Sequence, residues 1–76
     1  MNKVRRKQLE QLQATIEEAK ELLETLQSAE EEYRDNTPEN LQGSERYEQA
    51  DTAVDNMSSA VDALDEAISY IESAQE

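Results

Sequence analysis

The stretch Tyr47–Ile71 fixes what this chain can become. Its apolar residues Tyr47, Ala50, Val54, Met57, Val61, Leu64, Ile68 and Ile71 fall at alternating intervals of three and four. That is the a/d pattern of a coiled-coil helix, in which a mean spacing of about 3.5 residues keeps one seam facing a partner. A matching seam precedes it in Leu9, Leu12, Ile16, Ala19, Leu23, Leu26, Glu30 and Tyr33, broken only by Glu30. A disordered, charge-rich chain has no reason to hold apolar residues in phase, so two ordered helices are expected.

Between the seams, Asp35 to Ser44 carries the turn signals. Thr37 is expected to cap a single helical turn that starts at Pro38. Gly43, the one glycine, is expected to close that turn in the left-handed conformation, and Leu41 to plug the open end of the helix pair. Ser44 then caps the second helix, with Glu45 and Glu48 suiting its dipole. The reading is a single domain over residues 1–76, with a helix at about 3–34, a loop at about 35–44 and a helix at about 45–74. Two helices of similar length, roughly 45 Å each, joined by a short connector predict an antiparallel hairpin.

Folding about the loop sets every a position of one helix against a d position of the other: Leu9 on Ile71, Leu12 on Ile68, Ile16 on Leu64, Ala19 on Val61, Leu23 on Met57, Leu26 on Val54, and Tyr33 on Tyr47. This register closes the whole seam. On one flank it brings Lys20 to Asp65 and Arg34 to Asp51. A helix starting with Lys3, Arg5, Arg6 and Lys7 opposes its own dipole, so these cations are expected beside Glu72 and Glu76, and neutralised there rather than meeting nucleic acid or lipid. The other flank carries Thr15, Leu22 and Ala29 beside a column of alanines spaced by seven.

A 76-residue chain with neither cysteine nor histidine has no disulfides and none of the usual zinc or iron ligands, so packing or association must hold it together. The fold class is therefore all-α: an antiparallel two-helix coiled-coil hairpin, pairing into a dimeric four-helix bundle with Leu22, Ala53, Ala60, Ala67 and Ala74 at the contact.

Catalysis is not expected. There is no histidine or cysteine, no glycine-rich phosphate loop, and no nucleophile set beside a base. Carboxylate pairs such as Glu17 with Glu18 or Asp65 with Glu66 stand on solvated helix faces, without the burial that would separate their pKa values. Asp51 and Asp55 lack the loop and glycine of a calcium site. No metal or other cofactor is called for.

The outer columns carry the functional content. Nineteen acidic against seven basic residues give a formal charge of −12, and only three of the basic residues follow Gln8. Such a body repels nucleic acid and anionic lipid and attracts basic protein surfaces. Glu10, Glu17, Glu24 and Glu31 recur every seven residues, joined by Glu18 and Glu21, while Asp55 and Asp62 line the second helix. Seven helical residues rise about 10.5 Å, and residues three or four apart stand about 5–6 Å from each other. A phosphate backbone has one charge per roughly 3.4 Å of each strand, so such a rod is able to fill a groove built for DNA or RNA. These eight acids are the candidate partner-binding residues, and the partner a basic surface on a larger, nucleic-acid-binding protein. The alternative is a structural or adaptor bundle without nucleic-acid mimicry, its information held in the alanine flank. No apolar run is long enough to span a bilayer and no signal-peptide core follows the basic start, so a cytoplasmic location in a bacterial host cell is expected.

The loop Tyr33-Arg-Asp-Asn-Thr-Pro-Glu-Asn-Leu-Gln-Gly-Ser-Glu-Arg-Tyr47, after a basic start and before an Ala/Asp-rich helix, resembles the short acidic helical-hairpin proteins encoded by phages and mobile elements of Gram-positive bacteria. The resemblance implies a phage-encoded inhibitor, of the DNA-mimic or anti-CRISPR type. The Trp-x-Gly turn of small secreted helical hairpins is missing, since this loop holds Pro38 and Gly43 and no tryptophan.

Overall fold

Two long helices and one tight turn make up the computed structural model, which describes residues 1–76. Helix α1 spans Lys3–Asp35, a 3-10 turn covers Glu39–Leu41, and helix α2 spans Glu45–Ala74. The helices lie antiparallel and side by side, in a rod 59 Å long and about 14 Å across its Cα atoms.

Each helix begins at a side-chain cap. Ser44 Oγ accepts the Tyr47 N–H at 3.3 Å, with Glu45 and Glu48 in the first turn as the dipole prefers. The Asn2 side chain accepts the Arg5 N–H at 2.7 Å. This second cap offsets the unfavourable basic start of α1 by satisfying one orphan N–H, and its sequence signal is the asparagine just before the helix.

The cross-helix polar pairs fix the register. Lys20 Nζ lies 2.6 Å from Asp65 and Arg34 Nη1 lies 2.9 Å from Asp51, as the folded-back sequence requires. Gln13 Nε2 adds a third rung to Glu72 at 3.0 Å. The expected contact of the basic N-terminus with Glu72 and Glu76 does not form. The four ion pairs of the hairpin involve only Lys20 and Arg34, and Glu72 is held by Gln13 instead.

The seam also differs from its expected form. On α2 the core follows the a/d pattern, with Ala50, Val54 and Ile68 buried. On α1 the half-buried rows are Leu9, Ile16, Leu23 and Glu30 together with Gln13, Lys20, Gln27 and Arg34. The d row is left outside: Leu12, Leu26 and Tyr33 stay 48%, 51% and 52% exposed, and Ala19 is exposed too. Helix α1 is rolled toward its polar flank. The Lys20 and Arg34 side chains are only 26% and 21% exposed while their heads reach α2 carboxylates, so covered polar stems stand where the d-row layers were expected. The layers expected between Leu12 and Ile68, Ala19 and Val61, Leu26 and Val54, and Tyr33 and Tyr47 are therefore open on the α1 side.

Three loop expectations are corrected. Thr37 caps nothing: its hydroxyl donates back to the Tyr33 carbonyl oxygen at 3.4 Å, and Pro38, extended at ψ 144°, precedes the 3-10 turn as its cap residue. Leu41 does not plug the bundle end but is 49% exposed. Gly43 is not left-handed, since no residue has positive φ. A Cβ added at Gly43 would meet nothing within 4 Å, so Gly43→Ala restricts the unfolded chain without straining the fold. Its expected effect in urea denaturation is a gain of about 0.4–1 kcal/mol; a loss would mean the loop uses glycine's freedom after all.

Candidate partner-binding surfaces

The acidic face is built around the polar column Gln13, Lys20, Gln27 and Arg34 of α1. Each of these side chains grips a carboxylate on its own helix, and three of them reach α2 as well. Gln13 donates to Glu17 at 3.3 Å and to Glu72 at 3.0 Å. Lys20 lies between Glu24 at 3.7 Å and Asp65 at 2.6 Å. Gln27 donates to Glu31 at 3.3 Å, and Arg34 is shared by Asp35 at 3.1 Å and Asp51 at 2.9 Å. The column thus ties Glu17 to Glu72, Glu24 to Asp65 and Asp35 to Asp51 across the helices, while Gln27 holds Glu31 on α1 alone.

The hydrogen bond that Lys20 donates to Asp65, with the charges of Asp65 and Glu24, raises the Lys20 ammonium above the ordinary lysine value. Hydrogen bonds donated to Asp35 and Asp51 likewise raise the Arg34 guanidinium. A raised pKa means the cation keeps its charge as pH climbs past its ordinary value and gives it up only through the raised one. Both bridges therefore persist through neutral pH.

Of the sequence-derived candidates, Glu10, Glu17, Glu18, Glu21 and Glu24 are exposed and Glu31 is half-buried. Asp55 and Asp62 are exposed but take part in none of the cross-helix bonds. Asp65 and Glu72 are the acids that the structure joins to the α1 row, and Asp51 is joined to Asp35 at its end. Charge pairing between e positions was the signal that marks them. No protein-family model, curated protein or solved structure matches this chain.

Only four of the nineteen carboxylates have a cation within 4 Å, namely Glu24, Asp35, Asp51 and Asp65. The rest repel one another across a narrow rod. Going from about 10 mM to about 1 M salt shortens the screening length from about 30 Å to about 3 Å, so the melting temperature is expected to rise with salt. A fall would show that the ion pairs outweigh the repulsion. No three of these acids converge as metal ligands would, and no helix is long and apolar enough to cross a membrane.

The opposite flank has a different chemistry. The d and g columns of α1 (Gln8, Leu12, Thr15, Ala19, Leu22, Leu26, Ala29 and Tyr33) contain no acid, and neither do the c and g columns of α2 from Arg46 to Ala74. Leu22 is 61% and Tyr70 69% exposed here. Of the alanine column, Ala53 and Ala67 are half-buried and Ala60 and Ala74 exposed. At the loop end this flank opens into a cleft of about 350 Å³ lined by Tyr33, Thr37, Pro38, Leu41 and Arg46, among others.

Proposed function

We propose that the chain is a non-catalytic binding module that presents its acidic face to a basic site on a larger protein. The observation that carries this reading is the pair of carboxylate rows held in register by Gln13, Lys20, Gln27 and Arg34 along one side of a 59 Å rod. Fixed acids at helical spacing imitate the charge of a nucleic-acid strand. A basic groove that recognises DNA or RNA by its backbone is the matching partner, and a CRISPR effector is one protein of that kind. The binding residues are Glu10, Glu17, Glu18, Glu21, Glu24 and Glu31 with Asp55 and Asp62, and the bridged Asp51, Asp65 and Glu72 extend the set. In this reading the module acts as a phage-encoded inhibitor in the bacterial cytoplasm, working as a homodimeric four-helix bundle whose contact includes Leu22, Ala53, Ala60, Ala67 and Ala74.

Affinity capture from a bacterial lysate, eluted along a salt gradient, tests the reading. The expected result is a basic, nucleic-acid-binding protein released as salt rises. Retention equal at low and high salt would rule electrostatic mimicry out. A purely structural bundle is the second reading, favoured by the acid-free flank. In that case Ala60→Glu with Ala67→Glu abolishes function while changes to the acidic face are tolerated.

A further inference from the structure

The hairpin leaves more surface to water than a chain this small usually does, and its acid-free flank carries large apolar side chains. A globular monomer of 8.7 kDa exposes about 4,700 Å² by the usual size scaling, whereas the hairpin exposes 5744 Å². The excess of roughly 1,000 Å² is on the scale of the ~800 Å² that each partner buries in a standard interface. Leu12, Leu22, Leu26, Tyr33 and Tyr70, each about half exposed or more, supply its apolar centre. In a protein of charge −12, a second copy is a partner that meets this flank without bringing carboxylates against carboxylates.

The arrangement of residues also gives the direction of pairing. Counted outward from Leu22, Ala19 and Leu26, Thr15 and Ala29, and Leu12 and Tyr33 fall at matching distances to within one residue. Counted outward from Ala60, Ala53 matches Ala67. The register set by Lys20–Asp65 and Arg34–Asp51 puts Leu22 level with Ala63 and so within about one helical turn of Ala60, which brings the centres of the two patterns together to within a turn.

We infer that two copies pair face to face with their rods antiparallel, about a two-fold axis crossing the helices near Leu22 and Ala60. Helix α1 then packs on α1 of the other copy and α2 on α2. Ala19 of one copy sits against Leu26 of the other, small against large, and the alanine columns let the α2 backbones come close. Charge agrees with this direction. The cluster Lys3, Arg5, Arg6 and Lys7 has no carboxylate within 4 Å in its own chain. Antiparallel pairing sets it beside the loop end of the other copy, where Asp35, Glu39, Glu45 and Glu48 gather. Parallel pairing would instead place the two basic clusters together.

This inference rests on the homodimer proposed above and adds its interface and direction. Two measurements separate those claims. Sedimentation of the full chain is expected to give twice the chain mass, and Leu22→Glu, at an exposed site that leaves the hairpin's helical signal unchanged, is expected to give the chain mass. A wild-type monomer at high micromolar concentration overturns dimer and direction together. The chain has no cysteine, so Leu22→Cys and Ala60→Cys each carry a single thiol. A disulfide joins Cα atoms about 4.4–6.8 Å apart. Under oxidation each variant is expected to link to itself in nearly all of its chains. In parallel pairing Leu22 would face Ala60, so a disulfide that forms only when the two variants are mixed overturns the antiparallel axis while leaving the dimer intact.

Discussion

Ile68→Ala is expected to remove about 2–5 kcal/mol of stability, enough to leave the hairpin largely unfolded at ambient temperature. Only Ala50, Val54 and Ile68 are buried, and Ile68, at 9% exposure, is the largest of them. A chain of this size rarely has more than about 3–5 kcal/mol from its core, so one cavity takes most of it. The cavity cannot collapse easily, because the rungs at Lys20–Asp65 and Gln13–Glu72 hold the helices apart on either side of it. Urea denaturation followed by helical circular dichroism at fixed protein concentration reads the effect. Val4→Ala, at a site 69% exposed, serves as the control and is expected to change stability by less than about 0.5 kcal/mol. Equal midpoints for the two variants would show that the helices are held by something other than the α2 seam.

Reversing Glu17, Glu21 and Glu24 to lysine is expected to weaken binding to the basic partner by at least about a hundredfold, since like charges brought together at an interface cost several kcal/mol. Glu17 and Glu24 belong to the bridged row, held by Gln13 and Lys20. Lys20 retains Asp65 as its nearer partner at 2.6 Å, so the helical signal should be kept, and with less self-repulsion the melting temperature should not fall. The measurement is the equilibrium affinity of the captured partner at low and at physiological salt. Matching reversals at Glu45 and Glu48, at the start of α2 rather than on the bridged rows, should have a much smaller effect. Undiminished affinity of the Glu17, Glu21 and Glu24 variant would move the binding site to the other flank.

What the sequence reveals well is what depends on period and on charge pairs at known spacing. Helix lengths, the Ser44 cap, the antiparallel register and the Lys20–Asp65 and Arg34–Asp51 pairs all follow from residues three, four or seven apart. The roll of α1 does not. Leu12, Leu26 and Tyr33 read as seam because their spacing is right, yet which of two neighbouring rows is covered depends on how far the stems of Lys20 and Arg34 reach over the groove. That is a tertiary choice between packing a d row and spanning a polar bridge, and heptad spacing is the same for both. Gly43 misled for a related reason, since the 3-10 turn ends in the right-handed region and needs no left-handed residue. In the candidate site, the α1 acids were legible from their seven-residue recurrence. Asp51, Asp65 and Glu72 read as a separate acidic line on the second helix, and the bridges that fix the fold set that line beside the acids of α1.

The rungs between the helices also set an order of events. Arg34–Asp51 joins residues 17 apart in the chain, Lys20–Asp65 residues 45 apart and Gln13–Glu72 residues 59 apart. Each longer loop is entropically costlier to close from the unfolded chain, but each is short once the rung before it has formed. The hairpin therefore zips from its loop toward its termini and opens in reverse, so amide exchange should be slowest in the turns nearest the loop-side rung and fastest where Gln13 meets Glu72 and Gln75.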